Sequence, residues 1–193
     1  MTSSAAVPSS ELWLVRHGPT EWSRAGRHTS VTDLPLLADG EQDAVDLGPR
    51  LAGVGFVQVL TSPRVRARRT AELAGFADAE VDEDLVEWGY GDYEGLTNAE
   101  IRERRPGWTL WSDGAPGGES AADVAARLDR VVTRARGVDG PTLVFAHGHS
   151  LRALAARWLG LPPSEGRLLR LDTATVSVLG FEREQAVVLR WNA

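Results

Sequence analysis

Leu143-Val144-Phe145-Ala146-His147-Gly148-His149-Ser150-Leu151-Arg152-Ala153-Leu154 carries the reading that decides the fold. Leu143 to Ala146 is a short, β-rich apolar run, as expected of a strand buried on both faces. A polar turn with glycine follows. From about Ser150 the pattern becomes helical as far as Leu159, where Gly160 stops it. The same order recurs upstream. Phe56 to Leu60 is an apolar run, Ser62-Pro63 reads as an N-cap followed by proline at the first helical position, and the helix runs to about Leu73 with Gly75 beyond it. Leu12-Trp13-Leu14-Val15 is a third run.

Two further helices announce themselves by their starts. Thr97-x-x-Glu100 is a capping box whose helix ends before Pro106. Ser120-x-x-Asp123 opens a longer helix with Val124, Leu128, Val131 and Ala135 at helical spacing. Three strands are predicted in the tail: Leu168 to Leu171, Thr175 to Phe181 and Ala186 to Trp191. Strands alternating with helices predict a three-layer α/β/α sandwich around a mainly parallel sheet, with an antiparallel edge supplied by the tail. Gly18 to Asp39 and Glu87 to Gly118 are weakly patterned and read as long excursions over one end of the sheet.

Composition narrows the chemistry. The chain has 193 residues, 42% apolar and 25% charged, which fits one domain over residues 1–193 with a flexible start over 1–11. Its net charge is −6 with no basic block, which argues against nucleic acid as a partner. It has no cysteine, so disulfides, thiolate metal sites and cysteine nucleophiles are excluded. All 21 basic residues are arginine, so a Walker A lysine and Schiff-base lysines are excluded too. No signal peptide pattern and no membrane-length apolar run is present, and a cytoplasmic protein without membrane partners is expected.

Three predicted strand ends carry chemistry-bearing residues: Arg16-His17-Gly18, Ser62-Pro63-Arg64-Val65-Arg66, and His147-Gly148-His149-Ser150. Open α/β sheets bind ligands beyond the carboxyl ends of their strands, so these ends are expected to converge. His17, His147, Arg16 and Arg66 near two helix N-termini describe an anion pocket, most naturally for phosphate. A neutral imidazole can attack phosphorus, and guanidinium forks can hold the phosphoryl oxygens. Gly18 and Gly148 keep bulk away from each histidine. A leaving alkoxide needs a proton, and Glu87, Asp92 and Glu94 are the candidates. An apolar wall from Trp88 would favour Glu87 as general acid, but composition does not choose among the three. One or two of Trp22, Trp88, Trp108 and Trp111 are expected to line the pocket. A zinc site of His17, His28, His147 and His149 is the competing reading, although no metal-ligand spacing matches. Arg68 and Arg69 read as a solvated helix face.

Taken in order, Arg16-His17-Gly18, Ser62-Pro63-x-x-Arg66-Ala67-x-x-Thr70-Ala71, Glu87 with Gly91 and Glu94-Gly95, Gly118-Glu119-Ser120, and His147-Gly148 resemble the histidine phosphatase superfamily, with its phosphoglycerate-mutase-like fold. The match spans roughly Leu12 to Phe181. The resemblance implies a ping-pong reaction without metal or cofactor. His17 would be the phosphorylated nucleophile, with Arg16, Arg66 and His147 around the phosphate. Glu87 would first protonate the leaving oxygen and then activate water. Ser23 stands where the family commonly has asparagine. The family's mutases carry a lysine near the position of Asn98 and an arginine pair where Trp111 is followed by Ser112-Asp113, so their loss here favours a phosphatase over a mutase. Glu21-Trp22-Ser23, Thr32 to Leu36, Glu87 to Gly95 and Phe145 to His149 are similar to the branch of sedoheptulose-1,7-bisphosphatase and bacterial broad-specificity acid phosphatases. This implies a sugar phosphate or another small phosphomonoester as the substrate. Gly18, Ser23, Thr29, Tyr90, Gly148, His149 and Arg152 are the substrate-contact candidates, Arg152 reading equally as a helix-face salt bridge. A homodimer is a family-level expectation, and a catalytically silent phospho-ligand binder is the alternative of another class.

Overall fold

The computed structural model describes residues 10–193. Its strands are β1 (Glu11–Arg16), β2 (Gln58–Thr61), β3 (Glu80–Val81), β4 (Pro141–Ala146), β5 (Val176–Glu182) and β6 (Gln185–Arg190). Its α-helices are α1 (Glu21–Arg24), α2 (Ala38–Leu51), α3 (Val65–Leu73), α4 (Asn98–Arg104), α5 (Leu110–Asp113), α6 (Ala121–Arg136) and α7 (Gly148–Trp158). One six-stranded sheet runs in the order β3-β2-β4-β1-β5-β6. β3, β2, β4 and β1 run parallel to one another, while β5 is antiparallel to β1 and β6 antiparallel to β5. The mainly parallel sheet with an antiparallel edge is therefore present.

Alternation along the strands builds the layers. Leu12, Leu14, Val144 and Ala146 face a core shared with α6 and α7, whereas Val15, Leu143 and Phe145 face a second core with Leu47, Leu51 and Ala71 of α2 and α3. Successive strand residues point to opposite faces, so each central strand must be apolar throughout. The capping boxes at Thr97 and Ser120 both form.

Several boundaries differ from the sequence reading, each for a local reason. Ser62 does not cap α3: Arg64 holds the cap position without a side-chain bond, because Ser62 Oγ is engaged by His147 Nε2 at 2.7 Å. Leu168 to Leu171 is not a strand. A 3-10 turn covers Pro163–Leu168, and the Leu171 carbonyl and Asp172 amide are taken by the side chains of Arg16 and Asn192 instead of a ladder. Helix α7 starts at Gly148, with His147 at the cap position and no side-chain capping bond. Helix α2 has a weak sequence signal because Gly40, Gly48 and Pro49 lie within it; burial of Ala44, Leu47 and Leu51 sustains it. Gly40 is needed for close approach, since a Cβ there would lie 2.5 Å from Pro19 O. Of the expected flexible start, residues 1–9 lie outside the described residues, Ser10 is buried and Glu11 opens β1 opposite Pro141. Among the described residues, no helix is long and apolar enough to cross a membrane.

Candidate active site

The carboxyl ends of β1, β2 and β4 meet at one end of the sheet. β1 and β4 pair in register up to Arg16 opposite Ala146, and His17 N continues the ladder to Ala146 O at 3.0 Å. This places the His17 and His147 rings edge to face, with centroids 5.3 Å apart. A cavity of about 170 Å³ opens beside them. Arg16, His17, Ser23, Thr29, Glu87, Tyr90, Gly148, His149 and Arg152 line it, together with Arg27, His28 and Asn98.

His17 is buried, and its Nδ1 lies 2.7 Å from Gly18 O. A carbonyl only accepts, so Nδ1 carries the proton and Nε2 keeps its lone pair. Burial lowers the His17 pKa well below the ordinary value of 6.5, helped by the charges of Arg66 and Arg16. The ring is thus neutral, with Nε2 unprotonated. His147 has no free nitrogen. Its Nδ1 accepts from Arg66 Nε at 3.2 Å, so Nε2 donates to Ser62 Oγ, and burial followed by the Arg66 charge depresses its pKa.

Glu87 hangs between the 3-10 turn Glu83–Leu85 and the N-terminus of α7. Its Oε1 accepts from Ser150 N at 2.7 Å and Trp88 N at 2.9 Å, and its Oε2 from His149 N at 3.0 Å. Backbone amides at a helix N-terminus, not an indole wall, surround the carboxylate. Trp88 instead turns into the core, where its Nε1 donates to Glu119 O at 3.0 Å. The competing carboxylates are placed elsewhere. Glu94 accepts from Ser30 N, Ser30 Oγ and Thr32 N, bonds that outweigh the upward push of burial and lower its pKa. Asp92 is exposed and does not border the cavity.

A model of the histidine phosphatase superfamily, branch 1, matches residues 12–193. The chain belongs to that superfamily. It is 42% identical to an acid phosphatase of Mycobacterium tuberculosis, with 91% of the chain and 89% of that protein covered. It is 38% identical to the sedoheptulose 1,7-bisphosphatase of Saccharomyces cerevisiae, covering 77% of the chain and 67% of the yeast protein. A probable phosphoglycerate mutase of Salmonella paratyphi B is 31% identical over 94% of the chain and 89% of that protein. Among solved structures, that of an open reading frame from Mycobacterium tuberculosis superposes with a TM-score of 0.91 at 40% identity, covering 95% of this chain and 97% of that one. The chain is thus an enzyme of the phosphatase class within this superfamily.

Within that frame the candidate residues divide into two layers. Arg16 lines the cavity; its Nη1 donates to Leu171 O at 2.6 Å, while its buried Nε has no partner. Arg66 is fully buried behind His17 and does not border the cavity. Its fork donates to the carbonyls of Thr32 at 3.0 Å, Thr29 at 3.2 Å and Ser30 at 3.4 Å. His147 and Gly18 also lie behind the cavity wall. Gly18 is bare for α2 and not for a ligand, because a Cβ would meet Gly40 O at 2.5 Å. Gly148 lines the cavity, where a Cβ would press on the Arg16 guanidinium at 3.3 Å. Ser23 completes the capping box of α1 with Thr20.

Arg152 makes no salt bridge along its helix. It stacks over Trp111 at 4.7 Å and donates from Nε to Gly166 O at 3.0 Å. Tyr90 OH lies 2.7 Å from His149 Nδ1. None of the four tryptophans considered borders the cavity: Trp88 and Trp108 are drawn into the core, Trp111 lies behind Arg152 and His149, and Trp22 packs on Gly95. Arg27, Asn98 and His28 are cavity residues that the motifs do not single out as substrate contacts. His28 Nε2 donates to Asn98 Oδ1 at 3.0 Å. Arg27 has no signal beyond its place in a weakly patterned excursion, whereas His28 enters only the zinc reading and Asn98 only the comparison with the mutases. Among the described residues, no group of three or more His, Cys, Asp or Glu gathers as a metal site requires. Arg69 pairs with Glu41 and Glu72 on the solvent face, as its pattern suggests.

Proposed function

We propose that the chain hydrolyses small phosphorylated metabolites, of the sugar phosphate class, through a phosphohistidine on His17. The observation that carries this reading is the fixed tautomer of His17: Nδ1 is spent on Gly18 O, and the neutral ring offers Nε2 on the cavity wall. Attack of Nε2 on phosphorus breaks the ester bond and leaves an alkoxide. Glu87, also on the wall, gives that oxygen a proton and afterwards takes one from the water that cleaves the phosphohistidine. Arg16 lines the same space, and its guanidinium meets the charge on the phosphoryl oxygens. Arg66 and His147 hold the wall behind the nucleophile, and Arg66 acts at range as a positive charge. Arg27, His28, Asn98, His149 and Arg152 form the polar remainder of the cavity, suited to a hydroxylated, anionic substrate. The kinship with a yeast sedoheptulose 1,7-bisphosphatase supports the sugar phosphate class.

The test is phosphate release from p-nitrophenyl phosphate and a panel of sugar phosphates under excess chelator, wild type beside His17→Ala. The reading expects chelator-resistant release in the wild type and a loss of at least about 10³-fold in the variant. Activity lost to chelator contradicts it. Isomerisation of phosphoglycerate without net release assigns the chain to the mutases instead.

A further inference from the structure

Gly118-Glu119-Ser120 belongs to the family pattern but touches neither the cavity nor His17. Its bonds converge on the peptide that carries Glu87. Glu119 Oε2 accepts from Gly89 N at 2.8 Å, and Glu119 N donates to Gly89 O at 3.0 Å. Gly118 must be bare for this, since a Cβ would lie 2.2 Å from Gly89 O. Ser120 then caps α6, and two turns along that helix Arg127 returns to the same place. Arg127 is buried and grips Glu119 with two bonds, Nε to Oε1 at 2.8 Å and Nη2 to Oε2 at 2.9 Å. Its remaining nitrogen, Nη1, donates to Val86 O at 2.9 Å and to Asp84 O at 2.7 Å.

We propose that Glu119 and Arg127 are positioning residues for the proton-transfer step, holding Glu87 by the backbone on either side of it. Arg127 fixes the carbonyl before Glu87, and Glu119 fixes the amide and carbonyl two residues after it. The peptide between these anchors has little freedom left, so the carboxylate meets α7 at one place. A bidentate guanidinium–carboxylate pair is the arrangement that confers such geometry, with Arg127 buried and Glu119 partly exposed. The inference rests on Glu87 acting as the acid in the proposed reaction.

The consequence is a dependence on the leaving group. p-Nitrophenolate departs without a proton, whereas benzyl alkoxide needs one. We would measure kcat/KM for p-nitrophenyl phosphate and benzyl phosphate in Glu119→Gln/Arg127→Gln, in Arg127→Lys and in Glu87→Gln. kcat/KM reports the step in which the ester bond breaks, and the ratio between two substrates in one preparation cancels the fraction of folded enzyme. In the double variant benzyl phosphate hydrolysis should fall roughly 10–100-fold and p-nitrophenyl phosphate hydrolysis less than about threefold, in the direction shown by Glu87→Gln. Arg127→Lys keeps the charge without the fork and should fall between the double variant and wild type. Equal losses on both substrates, with Glu87→Gln still selective, would overturn the positioning role and leave Glu87 as the acid. Equal losses in Glu87→Gln itself would overturn the acid assignment and this inference with it.

Discussion

His17 spends one ring nitrogen on a carbonyl 2.7 Å away, and burial, followed by the charges of Arg66 and Arg16, biases the ring against a second proton. These are opposite demands met by one residue: a donor at Nδ1 and a lone pair at Nε2. The downward pKa shift has a definite sign. A histidine whose pKa lies below 6.5 stays neutral into mildly acidic solution, so an unprotonated Nε2 persists there. Nitrogen NMR of the imidazole should find His17 neutral and Nδ1-protonated at about pH 6, where an ordinary histidine is largely charged. A ring already doubly protonated at that pH would contradict the assignment. At this scale the sequence was most informative. Arg16, His17 and Glu87 line the cavity as their motifs suggest. What the motifs do not contain is depth: Arg66 and His147 share the motif pattern yet lie behind the wall, because the carbonyls of Thr29, Ser30 and Thr32 capture the Arg66 fork.

Two elements place Glu87. The N-terminus of α7 offers the amides of His149 and Ser150 to the two oxygens of Glu87 and so fixes where its carboxyl group lies. Helix α6 sends Arg127 to the backbone beneath it. The start of α6 is secured by Ser120 Oγ, which accepts from Asp123 N at 3.1 Å, while Asp123 Oδ2 accepts from Ser120 N at the same distance. Ser120→Ala should cost about 1 kcal/mol, read as a fall in Tm of roughly 2–4 °C for a chain of this size. An unchanged Tm would show that tertiary packing alone fixes this helix end. Local signals of this kind are legible because they are short-range: both capping boxes and the stops at Gly75 and Gly160 are written in a few residues. Helix α2 was illegible for the converse reason. Its glycines and proline argue against a helix locally, and only burial against Phe145 and its neighbours argues for it. Leu168 to Leu171 looked like a strand because apolar spacing cannot reveal that Arg16 and Asn192 claim the backbone groups of Leu171 and Asp172.

Across the whole molecule, acidic residues outnumber basic ones by 27 to 21, yet the cavity reverses the balance. Arg16, Arg27 and Arg152 line it against Glu87 alone. The sheet produces this concentration by bringing β1 and β4 side by side, although more than a hundred residues separate them in the chain. Strand order of that kind is a long-range property that no local pattern encodes, whereas the layered α/β class follows from alternation alone. The fold, the reversed charge and the fixed tautomer together make one central claim: phosphate passes through His17. Rapid quenching during turnover of labelled substrate tests it directly, with the modified residue located by mass spectrometry. A phosphoryl group is expected on His17, labile in acid and stable in base, and absent from His17→Ala. Turnover without a phosphoenzyme, or a phosphoryl group on another residue, would contradict it.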